Sequence, residues 1–124
     1  MVAATEAEAG VRGAEDVKNW MNLFRWIVKL IRDDYGIPEE KLTRTAVIET
    51  DIGLSIEQIE EVLSITAEAF QIRFVSGTLD ELVKLEELCL LSAWLAGFYK
   101  EPSFLSASYV AAARGANARA GARE

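Results

Sequence analysis

Few side chains in this sequence are suited to covalent chemistry, and Ser55 is the foremost. It stands in Asp51-Ile52-Gly53-Leu54-Ser55-Ile56-Glu57-Gln58, an acidic turn and a glycine leading into an amphipathic run. A serine at a helix start accepts an orphan backbone amide, and Gln58 three residues on completes a capping box. The same position also suits a phosphodiester, because first-turn N–H groups and the helix dipole favour a phosphate there. The remaining candidates are weaker. The chain has no histidine, which removes Ser-His-Asp and Cys-His nucleophilic sets and the commonest metal ligand. The single Cys89 lies in the apolar run Glu-Leu-Cys-Leu-Leu-Ser-Ala-Trp and reads as a buried thiol. The pairs Glu60-Glu61 and Glu86-Glu87 read as solvated helix faces. Glycine-rich phosphate loops and the ligand spacings of zinc or calcium sites do not occur. The sequence therefore assigns no catalytic residue and no metal.

Charge narrows the partners. The net charge is −7 over 124 residues, which repels nucleic-acid phosphates and anionic membrane surfaces and suits proteins with basic patches. Gly-Leu-Ser before a periodic run also fits a helix-turn-helix, the minor alternative. However, Thr45 through Ile72 holds no lysine or arginine, while Glu49, Asp51, Glu57, Glu60, Glu61 and Glu68 all fall inside it. A recognition helix of that charge is repelled from a groove. One cysteine forms no intrachain disulfide, so a reducing cytoplasm is the expected compartment. The acidic N-terminus lacks a secretory signal's apolar core, and the apolar run 88–98 is too short to span a membrane.

The elements that must position Ser55 follow from apolar periodicity. The spacing of Val17, Trp20, Met21, Phe24, Ile27, Val28, Ile31 and Tyr35 predicts a helix over 15–35, with Glu15 and Asp16 in its first turn. Gly36 and Pro38 stop it. Leu23, Trp26 and Leu30 add a second stripe, either buried or facing a partner. Residues 36–54 read as a long loop, with one helical turn at PEEKL and with Val47, Ile48, Ile52 and Leu54 packed back on the core. A second helix starts at Ser55 and buries Ile56, Ile59, Val62, Leu63, Ile65 and Phe70. Thr78-Leu-Asp-Glu81 is a further capping signature. The run after it, apolar nearly all round, fits one helix or two, bounded by Gly97 and Pro102. A last short helix over 104–114 ends at Gly115. Residues 1–13 and 115–124 hold nothing large to bury and read as flexible tails. The expected fold is all-α: a bundle over 14–103 of three to four main helices, plus the short C-terminal helix.

An acidic helix that begins at a serine after a long loop resembles the second helix of acyl carrier proteins. IVKLIRDDYGIPEEKL resembles the end of that family's first helix, and TAVIETDIG resembles the loop before its serine. The likeness covers about Ile27 to Tyr99, and the apolar residues following Ser55 fall where the carrier helix has its own. The family pattern is Asp-x-Gly-x-Asp-Ser, whereas this chain has Asp51-Ile-Gly53-Leu-Ser55, one residue shorter. The extension EPSFLSASYVAAARGANA is similar to the end of short uncharacterised bacterial carrier-like proteins, many of which lack the attachment serine. The resemblance implies a phosphopantetheine arm on Ser55 carrying an acyl thioester for lipid or polyketide biosynthesis, with catalysis left to partner enzymes. It also implies a docking surface of Asp51, Glu57, Glu60 and Glu61, with Leu54, Ile56 and Ile59 meeting a partner's apolar patch. The alternative is an unmodified, carrier-derived interaction module, dimeric through the Trp26 stripe or the 88–98 helix.

Overall fold

The computed structural model describes residues 17–122, with side chains described through Asn117. It is all-α. Five α-helices form the described chain: α1 Trp20–Tyr35, α2 Ile56–Phe70, α3 Thr78–Glu81, α4 Leu85–Ala96 and α5 Ala107–Ala122. Strands are absent among the described residues. The only β-type pairing there is an isolated antiparallel bridge between Val47 and Lys84.

The first helix starts later than its apolar spacing predicts. Asn19 is the N-cap, its side chain accepting the Asn22 amide at 2.8 Å, so Val17 lies before the helix. Glu15 and Asp16 are outside the described residues, and the first turn carries no acid. Local cap chemistry decides the start here: asparagine satisfies an orphan amide, whereas apolar periodicity only says which face is inward. The helix ends at Gly36, whose φ of 67° is the left-handed conformation that stops it. Leu23, Ile27, Leu30 and Ile31 are buried along one face.

The stretch 36–54 is not an unstructured loop. It contains the expected turn at Glu39–Lys41 and an unexpected π-turn at Ile48–Ile52. Ile48, Ile52 and Leu54 are buried as expected, and Val47 is half-buried. Two backbone bonds of 2.9 Å, Ile48 N–H to Val83 and Leu85 N–H to Ala46, stitch this segment to the start of α4. Arg44 reinforces the join, pairing with Glu86 at 3.2 Å and lying 4.8 Å from the Trp20 ring centroid.

The apolar run after residue 78 resolves into two helices. Gly77, at φ 92°, opens the short α3. Thr78 does not cap; it is buried, its hydroxyl bonded to the Val75 carbonyl and the Tyr109 hydroxyl, both at 2.6 Å. Glu87 Oε1 accepts the amides of Val83 and Lys84 at 2.8 and 3.0 Å and so opens α4. α4 is apolar nearly all round because it is packed on both sides, against α1 on one and α5 on the other. Gly97 ends it at φ 89°.

The last helix departs furthest from the sequence reading. α5 runs through Gly115 to Ala122, so Gly115 is a mid-helix residue and the tail expected over 115–124 is helical as far as it is described. The expected tail over 1–13 lies outside the described residues. Asn117 helps hold the extension: its amide nitrogen donates to the Arg73 carbonyl at 3.0 Å, and its oxygen accepts the Arg73 amide at 2.9 Å.

Candidate functional site

Ser55 sits at a fixed corner. The π-turn before it is tied by Asp51, whose carboxylate accepts the Val47 amide at 2.9 Å. Gly53 closes the turn at φ 88°, its amide donating to the Ile48 carbonyl at 3.1 Å. The buried side chains on both sides of this turn anchor it to the core. The chain therefore enters α2 from a rigid base, and Ser55 stands exposed at its start.

The capping box forms in full. Ser55 Oγ accepts the Gln58 amide at 3.1 Å, and Gln58 Oε1 accepts the Ser55 amide at 2.9 Å. The Ser55 hydroxyl makes no other bond among the described residues, so its proton faces solvent. An exposed hydroxyl at a helix N-terminus fits the attachment of a phosphodiester-linked arm, and the dipole favours the added charge.

The expected docking residues divide by burial. Glu57, Glu60, Glu61 and Asp51 are exposed. Among the described residues none of them enters an ion pair. Leu54 and Ile59 are each only 4% exposed, so they pack inward and present nothing to a partner. Ile56 is the reverse case: expected on the buried face, it is 56% exposed, because the first turn of α2 projects past the core. Of the three apolar docking candidates only Ile56 reaches the surface. The Trp26 stripe is closed within the chain: Leu23 and Leu30 are buried, and Trp26 packs edge-on to Phe70 at 5.0 Å between ring centroids. Leu88, Leu91 and Ala93 of the 88–98 segment are likewise core residues. Each of the two surfaces considered for dimerisation is thus partly closed: Trp26 on one, and Leu90, Trp94 and Leu95 on the other, are half-buried.

Two residues join the site that the sequence did not single out. Tyr35, at the end of α1, donates to Glu61 Oε1 at 2.5 Å across the α1–α2 contact. Burial, then the bond to Glu61, pushes its phenol well above the usual value. Asp34 beside it has its carboxyl pushed up by burial, then by the charges of Asp33 and Glu61. The negative field of α2 thus continues onto the end of α1. A tyrosine at the end of an apolar period offered the only sequence signal, and that signal is equally that of a core residue.

Beside the acidic face lies an open cleft of about 490 Å³, floored by Leu63, Ala67, Phe74, Val75 and Leu79 and rimmed by Glu60 and Asp80. It begins five residues after Ser55, about 7 Å along the helix axis. Cys89 is fully buried and its thiol is pushed up by that burial, which leaves it unreactive. Among the described residues no cluster of three or more histidine, cysteine, aspartate or glutamate side chains is placed to hold a metal ion. No described helix is long and apolar enough to cross a membrane.

No family model matches the chain, nor does any curated protein or solved structure with which it was compared.

Proposed function

We propose that this protein is an acyl-carrier-like module. It presents an acyl group held as a thioester on a phosphopantetheine arm at Ser55, and offers the acidic face of α2 to partner enzymes with basic patches. The observation carrying this reading is the combination, on one helix, of an exposed serine hydroxyl at the first turn and exposed, base-free glutamates immediately behind it. Attachment requires a transferase and coenzyme A. Ser55 Oγ attacks the phosphorus bearing the pantetheine, a phosphodiester forms, adenosine bisphosphate leaves, and the serine proton passes to the transferase. The carrier then supplies position and charge, and its partners supply the chemistry. The apolar cleft beside Glu60 is suited to shelter a short apolar chain, since its floor is aliphatic and aromatic and its rim rejects anions.

Intact mass after incubation with coenzyme A and a broad-specificity phosphopantetheinyl transferase tests the reading. The wild type gains the mass of one arm and Ser55→Ala gains nothing. A wild type that gains nothing refutes attachment.

In that outcome the second reading stands, an unmodified interaction module working through the same face. The observation favouring it is that Leu54, which precedes the serine where the carrier pattern has an acid, is buried in the core. A transferase meets no carboxylate there.

A further inference from the structure

The exposed charged residues of α2 are all acidic. α1 instead exposes Arg25 and Lys29, with Arg32 half-buried one turn further along the same face and the acids Asp33 and Asp34 exposed at its end. These three line a groove of about 390 Å³ between α1 and the Glu39–Lys41 turn. Its apolar lining is Met21, Phe24, Val28 and Leu42. Arg32 is held by Asp33 at 3.0 Å and Glu39 at 3.3 Å, whereas Arg25 and Lys29 form no ion pair among the described residues.

Met21 and Ile56 are two of the three large apolar side chains that stand exposed among the described residues, at 37% and 56%. One edges the basic groove and the other heads the acidic helix. Arg25 and Lys29 are separated by about 6 Å of rise along α1 and Glu57 and Glu60 by about 4.5 Å along α2, so each helix offers two like charges within one turn of each other. We propose that this groove receives the start of α2 from a second copy of the chain, with Ile56 seated against Met21 and Phe24 and with Glu57 and Glu60 beside Arg25 and Lys29. The two faces differ, so the contact is head-to-tail. Each docked copy leaves one groove and one acidic helix open, and assembly continues into rings or open chains. Docking also covers the acidic face of α2, which limits its availability to other partners. The proposal does not depend on an arm at Ser55.

Sedimentation velocity over a concentration series provides the test, using two charge-swapped variants of the full chain. Arg25→Glu with Lys29→Glu makes the groove acidic, and Glu57→Lys with Glu60→Lys makes the helix basic. Each variant alone associates at least about tenfold more weakly than wild type, through loss of rim complementarity. An equimolar mixture of the two associates again, because the swapped groove now fits the swapped helix. Arg73→Glu with Lys100→Glu makes the same net-charge change as the groove variant elsewhere and leaves association intact. Circular dichroism confirms that all variants are folded. A wild type that is monomeric throughout overturns the proposal. So does association that survives both swaps, and so does a mixture that fails to recover.

Discussion

Replacing Ser55 separates its cap from the proposed attachment, because one variant removes the hydroxyl but keeps an acceptor in the same place. In the wild type, Ser55 Oγ satisfies the Gln58 amide at 3.1 Å, while the return bond from the Ser55 amide to Gln58 Oε1 does not involve the hydroxyl. Ser55→Ala therefore deletes one arm of the box and keeps the other. The site is exposed, so water reaches the freed amide and no buried donor is orphaned. Loss of an N-cap oxygen of this kind costs about 1 kcal/mol. In a domain of this size that lowers the melting temperature by roughly 3–5 °C. Ser55→Asp keeps an acceptor in the same place. Its charge is favoured by the helix dipole and opposed by Asp51 and Glu57, so it remains within about 0.5 kcal/mol of wild type. Urea titration followed by far-UV circular dichroism measures both. The reasoning fails if aspartate destabilises as much as alanine, or if alanine costs nothing. Ser55→Asp is consequently the cleaner partner for the mass experiment, since it removes the hydroxyl proposed for attachment without weakening α2.

Two further outcomes are expected. The phenols of Tyr35 and Tyr109 and the thiol of Cys89 all sit above their usual values, each chiefly through burial. The unfolded chain therefore loses these protons first as pH rises, and stability falls once pH passes the ordinary cysteine and tyrosine values of 9.0 and 10.0. Tyr35→Phe makes that alkaline decline shallower by one titrating group, which denaturant midpoints across the alkaline range will show; an unchanged slope contradicts the Tyr35 assignment. Gly115→Ala stabilises the protein by about 1 kcal/mol, because the residue is mid-helix and an added Cβ meets open space. Thermal unfolding decides it, and a loss of stability is the result that a helix stop at Gly115 would give.

The sequence by itself determined the helical class, the Ser55 cap with its Gln58 partner, and the base-free acidic run behind it. Each follows from residues close together in the chain, where periodicity and cap chemistry act without reference to distant segments. It also marked Gly36 and Gly97 as stops, and both adopt the left-handed conformation. Gly115 has the same residue type and a different outcome: α5 carries on through it, packed by Tyr109 and Ala113 against Leu91 and tied by Asn117 to Arg73. Tertiary packing there offsets the weak propensity of one glycine. Only the folded chain left Ile56 exposed while Ile59, one turn on, is buried, because the first turn of α2 projects past the core. Only it brought Tyr35 to Glu61 and gathered Arg25, Lys29 and Met21 around one groove. Those contacts depend on how helices distant in sequence are set against each other, and short-range spacing carries no record of that.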